Sequence, residues 1–203
     1  MSEEELKRWE ERFSSPDYHF GTAPNAFLKR QEKLLKPGFK ALAVADGEGR
    51  NGVWLAEHGL DVHTIDFSPS GVAKARTLAT KRGVTIRAEQ VDVHAWDWPA
   101  AAYDIVVAIL IQFSPPAQRT KVFDGMKKAL KPGGLLLMQG YRPEQIAYGT
   151  GGPSLMENLY TRELLQDAFG DFASLDIREH DSVMNEGVRH VGMSALIDLV
   201  ARK

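Results

Sequence analysis

Three carboxylates stand at spacings that suit ligand binding: Asp46, Asp66 and Asp92. The first lies in the stretch ALAVADGEGRNGVWLA, residues 41 to 56, beside Gly47 and Gly49. Glycine at a strand-to-helix turn lets backbone approach a ligand closely. Asp66 follows about twenty residues later, where an acid accepts hydrogen bonds from ribose hydroxyls. Asp92 precedes Val93, so an adenine amino group could meet the carboxylate while a ring nitrogen meets the Val93 amide. Phe67, next to Asp66, completes the expected nucleoside contacts. The shared chemistry is hydrogen-bond acceptance by fixed acids rather than nucleophilic attack.

The acids also select among nucleotides. Asp46 and Glu48 would repel a pyrophosphate at the glycine turn, and the glycine spacing departs from G-x-G-x-x-G. No Gly-Lys-Ser/Thr follows, which excludes a P-loop. S-adenosylmethionine carries adenine and ribose with an amino-acid tail in place of phosphates. Asp46 would take its ammonium. Backbone amides at the start of the next helix, or Arg50, would take its carboxylate. A nicotinamide-dependent oxidoreductase on the same architecture is the alternative enzyme, and a non-catalytic S-adenosylmethionine-binding protein is the alternative without turnover.

These residues need strand ends to hold them, and the hydropathy pattern supplies strands. Strands are expected at 40–46, 60–66, 84–91, 103–111 and 134–141, with helices at 50–58, at 69–82 behind Ser68 and Pro69, and after Pro115. Alternation of this kind implies a doubly wound, mainly parallel α/β sheet covered on both faces. A short helix is expected after Thr161. Strands near 172–183 and 189–202, joined by the turn residues 185–187, predict a C-terminal antiparallel hairpin. At the other end, Leu6, Trp9 and Phe13 share a helical face, and a second helix is expected after Thr22. Residues 1–36 are read as a helical lid on a single domain spanning 1–203.

Composition narrows the class. The net charge of −2 gives no electrostatic footprint for nucleic acid or an anionic membrane. No cysteine is present, which removes disulfides and thiolate ligands and suits a cytoplasmic setting. The longest apolar run, 105–111, is too short to span a bilayer. No spacing of histidines and acids makes a metal site.

The ordered motifs resemble those of class I S-adenosylmethionine-dependent methyltransferases. The carriers are the glycine turn at 41–52, VHTIDFSPSGVAKAR, the VDV step at 91–93, YDIVVAILIQF and LKPGGLLLM. Within the class, YHFGTAPNAFL and GYRPEQIAYGTGGP are similar to small bacterial enzymes of the tellurite-resistance type. The resemblance implies a Rossmann-like seven-stranded sheet with an antiparallel end and direct methyl transfer to a small-molecule acceptor. Ala43 and Ala45 stand where the family turn often has an acid and a glycine; Ala45 suits a tight turn if its φ is negative. Acceptor-side candidates are Tyr18, Tyr141, Arg142 and Tyr148, with Gln112, Gln139, Arg189 and His190 nearby along the chain.

Overall fold

The computed structural model describes residues 3–187 and 190–203. Arg189, one of the acceptor-side residues, lies outside the described residues. The chain divides into two compact units. The first comprises 1–97 with 186–188, and the second comprises 98–185 with 189–203. The sheet is seven-stranded.

The first unit opens with α1 (Glu3–Phe13) and α2 (Ala26–Arg30), then alternates β1 (Lys40–Val44), α3 (Arg50–Glu57), β2 (Asp61–Asp66), α4 (Pro69–Arg82) and β3 (Arg87–Gln90). Its strands run in the order β3-β2-β1, all parallel, with Lys40 beside Asp61 and His63 beside Arg87. β1 and β2 are buried along nearly their whole length, as strands covered on both faces must be. α4 begins as its sequence predicts. Ser68 Oγ accepts from the Gly71 amide at 2.9 Å, Pro69 fills the first turn, and Gly83 ends the helix in the left-handed region.

Several sequence boundaries move, among them those of α2 and β3. α2 starts at Ala26 rather than just after Thr22, because the Asn25 side chain caps it by accepting from the Leu28 amide at 3.1 Å. β3 covers only 87–90, while Val84 and Ile86 leave the ladder and pack against α3 and α4 side chains.

The second unit contains β4 (Tyr103–Ile109), α5 (Pro116–Ala129), β5 (Leu130–Tyr141), α6 (Gln145–Tyr148), α7 (Arg162–Phe169), β6 (Ser174–Glu186) and β7 (His190–Arg202). The strand order is β4-β5-β7-β6. β4 and β5 are parallel, and the KPGG turn is absorbed as an irregular start to β5. β7 runs antiparallel to β5, pairing Leu135 with Arg202 and Tyr141 with Leu196. The antiparallel end is therefore present as expected. Trp98 packs on Gly125 of α5: a β-carbon there would lie 2.4 Å from the indole.

A strand-end carboxylate cluster under an aromatic cap

Within the first unit, the carboxyl end of β1 turns sharply. Ala45 adopts φ 48°, not a negative value. Such a conformation costs an L-residue about 1–2 kcal/mol. Gly47 and Gly49 follow with φ 56° and 87°. The turn closes through Gly49 N–H to Asp46 O at 3.0 Å, and α3 begins with Val53 N–H to Gly49 O at 2.8 Å. Gly49 is required sterically as well: a β-carbon would lie 2.5 Å from Ala75 Cβ of α4. Gly52 plays the same part toward β2, where a β-carbon would lie 2.3 Å from Thr64 Cγ2. The glycines thus draw α3 against its neighbours.

Asp46 accepts from the Gly52 amide at 2.9 Å. Burial pushes its pKa up to about 7, opposed by the Gly52 hydrogen bond and the nearby Arg50 charge. Asp66 accepts from the Gly47 amide at 2.8 Å and from the Ser68 amide at 2.9 Å, so it ties the turn to the end of β2. Burial raises Asp66 to about 6, against the pull of the Ser68 and Gly47 hydrogen bonds. Both residues are of intermediate exposure overall. Asp92 accepts from the His94 amide at 3.0 Å, and Val93 is buried. Val91 N–H donates to Asp66 O at 2.8 Å, which sets the β2 and β3 ends side by side. The Phe67 carbonyl accepts from Gln90 Nε2 at 3.2 Å. Asp46, Gly47, Asp66, Phe67, Asp92 and Val93 are therefore all held at the carboxyl ends of neighbouring strands.

The remaining turn residues face elsewhere. Glu48 is buried and pairs with Lys74 Nζ at 2.7 Å. Its other oxygen accepts from the Phe20 amide at 3.3 Å. Arg50 is buried too and pairs with Glu186 at 2.7 Å, while donating to the Phe20 carbonyl at 3.4 Å. Asn51 Oδ1 accepts from the Asn25 amide at 3.0 Å, and Asn25 Nδ2 donates to Glu186 at 3.1 Å. Glu48, Arg50 and Asn51 thus staple residues 20–25 onto the turn. The repulsion of phosphate assigned to Glu48 is weakened by Lys74 and rests on Asp46 and Asp66. Arg50 already has a carboxylate partner, so a ligand carboxylate would fall to backbone amides.

Above the turn lies an aromatic cap. Phe13 Cζ comes within 3.1 Å of a β-carbon placed on Gly47. Trp9 stacks on Phe13 at 5.4 Å between ring centroids, and Phe20 and His19 meet Phe13 edge-on at 6.2 and 6.4 Å. Glu10 fixes α1 in place. It accepts from Ser68 Oγ, from Ser70 Oγ at 2.6 Å and from the Ser70 amide at 3.2 Å, at the N-terminus of α4. The helical face of Leu6, Trp9 and Phe13 was legible in the sequence. Glu10 carried no signal there, since its partners lie nearly sixty residues away.

The acceptor-side candidates have partners of their own. In the first unit, Tyr18 packs beside Val53, Leu78 and Ala79, and its hydroxyl donates to the Lys74 carbonyl at 3.2 Å. In the second unit, Tyr141 is a core residue clustered with Leu159, Met184 and Leu196, not an exposed one. Arg142 pairs with Asp181, whose other oxygen takes the Tyr148 hydroxyl at 2.8 Å. Gln112 is a clamp: it donates to the carbonyls of Tyr141 and Asn158 at 2.9 and 3.1 Å and accepts from the Tyr141 amide at 2.5 Å. No group of three or more His, Asp or Glu able to hold a metal occurs among the described residues. No helix among them is long and apolar enough to cross a membrane.

The chain is similar to several known proteins. A family described as "Methyltransferase domain" matches residues 41–134. A demethylmenaquinone methyltransferase from Thermus thermophilus is 32% identical over 112 residues, 54% of this chain and 50% of that protein. The chain spans about half the length of the curated relatives it matches. Among solved structures, TehB from Haemophilus influenzae superposes with a TM-score of 0.70 at 16% identity, covering 98% of this chain and 66% of the other. The N-methyltransferase NodS from Bradyrhizobium japonicum, in complex with S-adenosyl-L-homocysteine, gives a TM-score of 0.70 at 15% identity over 98% and 97% of the two chains. Residues 41–134 accordingly match the methyltransferase-domain family, and the chain shares the fold of these solved methyltransferases.

Proposed function

We propose that this chain moves a methyl group from S-adenosylmethionine to a small-molecule acceptor by in-line displacement. The observation that carries the reading is the set of acids at adjacent strand ends around the glycine turn. Asp46 and Asp66 are residues of intermediate exposure, while Lys74 and Arg50 are already ion-paired. A phosphate would meet uncompensated acid there. An ammonium would meet Asp46.

In this reading Asp46 receives the donor's ammonium, and backbone amides at the start of α3 receive its carboxylate. Asp66 receives the ribose hydroxyls, Phe67 lies against the nucleoside, and Asp92 with the Val93 amide reads the adenine edge. The sulfonium is an activated leaving group, so alignment is the protein's main contribution, worth up to ~7–11 kcal/mol in well-oriented systems. Tellurite, selenite and small thiols are the first acceptors to screen, on the strength of the sequence resemblance.

Calorimetry with S-adenosylhomocysteine tests the donor assignment. Saturable binding by wild type is expected, with a large loss in Asp66→Ala. Absence of binding at millimolar ligand, or tighter binding of NADH, rejects the proposal.

A further inference from the structure

Polar anchors and two glycines seat the aromatic cap of the first unit. The Phe13 ring comes within 3.1 Å of a β-carbon built on Gly47 and within 3.2 Å of one built on Gly71, in the first turn of α4. Any side chain at either position would crowd the ring. Trp9 stacks on Phe13, and His19 and Phe20 stand edge-on to it. His19 and Phe20 also meet each other at 4.8 Å between centroids, and Trp9 meets Phe20 at 6.4 Å. Phe13 is buried, whereas Trp9, His19 and Phe20 are half-buried. Glu10 holds the helix that carries Trp9 and Phe13. Glu48 and Arg50 hold the main chain of Phe20 from its amide and its carbonyl.

Two observations mark this cluster as a place for a cation. Rings of this segment already draw cations of the chain itself. Arg12 Cζ lies 4.7 Å from the centre of the Trp9 ring, and Lys74 Nζ lies 5.3 Å from that of Tyr18. Both are within the reach of about 6 Å at which a ring quadrupole attracts positive charge. The second observation is position. Gly47 follows Asp46 in the chain and donates its N–H to Asp66 Oδ2 at 2.8 Å, so it bridges the two acids. Phe13 packs on that glycine. In S-adenosylmethionine the sulfonium joins the amino-acid tail, assigned to Asp46, to the ribose, assigned to Asp66. The ring nearest the bridge between the two acids therefore falls to the positive sulfur.

We propose that the Trp9, Phe13 and Phe20 rings recognise the donor's sulfonium and so tell S-adenosylmethionine from its neutral product; this rests on the methyl-transfer reading. In the reaction the acceptor's electron pair bonds to the methyl carbon, and the carbon–sulfur bond breaks with its pair kept by sulfur. The sulfur of S-adenosylhomocysteine is an uncharged thioether. Its attraction to the rings ends with the transfer, while the contacts of the tail and the ribose are the same in both molecules. The cap thereby favours exchange of spent product for fresh donor. Asp46 and Asp66 would favour any nearby cation too, so the test removes the rings and keeps the acids.

The test is calorimetry of the full chain with three ligands: S-adenosylmethionine, S-adenosylhomocysteine, and sinefungin, which carries an ammonium in place of the sulfonium. Wild type is expected to bind the two cationic ligands about 2- to 30-fold more tightly than the neutral one. Phe13→Leu keeps apolar bulk and loses the ring. It should weaken both cationic ligands by a factor in that range and S-adenosylhomocysteine by less than about twofold. Trp9→Leu, at a half-buried position, should move the same ratio in the same direction, and it decides the matter if thermal unfolding shows Phe13→Leu to be unfolded. Wild type that binds S-adenosylhomocysteine as tightly as the cations overturns the proposal. So do variants that lose all three ligands equally, or a preference for cations that both variants retain, which would belong to Asp46 and Asp66. Wild type that binds none of the three overturns the underlying methyl-transfer reading instead.

Discussion

Ala45 holds a left-handed conformation, φ 48°, at the hinge of the nucleotide turn. Glycine would adopt it freely, at the cost of a more flexible unfolded chain. The strain of about 1–2 kcal/mol outweighs that loss of about 0.4–1 kcal/mol. Ala45→Gly is therefore expected to raise stability by roughly 0.5–1 kcal/mol, or about 1–4 °C in Tm, measured by thermal unfolding. The acids of the same turn set a pH dependence. Burial lifts Asp46 to about 7 and Asp66 to about 6, above the ordinary value of 3.8. The folded chain then holds protons that the unfolded chain has released. Their contribution to stability is full below about pH 4 and is lost as pH rises through about 6 and 7. A donor ammonium favours ionised Asp46, so donor binding releases a proton, and affinity climbs from about pH 5 to about pH 8. Asp46→Asn should flatten that climb. Calorimetry in buffers of different ionisation heat reads the proton directly.

Between elements, the Glu48–Lys74 pair joins the turn to α4, with side chains 2% and 16% exposed. Breaking a buried pair by removing one partner typically costs about 3–5 kcal/mol. Glu48→Ala should approach that loss in denaturant unfolding and should also free the Phe20 amide. Glu48→Ala with Lys74→Met should recover part of it, since no lone charge stays buried. Glu10 offers a contrasting case. Its bonds to Ser68 and Ser70 hold α1 without forming a core. Glu10→Ala should speed amide exchange across α1 while leaving that of β1 and β2 unchanged. Equal loosening of all three would show that α1 is an integral part of the unit and not a separable cover.

For the whole molecule, ligand linkage gives the broadest test. A ligand that binds only the folded state at a hundredfold its Kd stabilises by about 2.7 kcal/mol. For a chain of 203 residues that corresponds to a rise of about 5–10 °C in Tm. S-adenosylhomocysteine should produce such a rise and NADH should not. The shift should also be weakly dependent on salt, because the contacts proposed for the donor are short-range and the net charge is only −2.

The sequence by itself determined the alternation of strands and helices and the antiparallel end. It also placed Asp46, Asp66 and Asp92 at strand ends, because period and turn chemistry are local properties that neighbouring residues write directly. It also marked the face of α1 that is buried. What the tertiary structure decided is which polar groups are left over for a ligand. Arg50 reads as a ligand contact and Glu48 as an acid that repels phosphate in the linear chain, yet Glu186, Lys74 and Phe20 claim them from far along it. Tyr141 reads as a mouth residue and is core, because Leu159, Met184 and Leu196 close around it. Asp198, His180 and Gln139 carry no shared motif and meet only through strand register. A side chain's availability depends on partners brought together by folding, and spacing along the chain does not encode those partners.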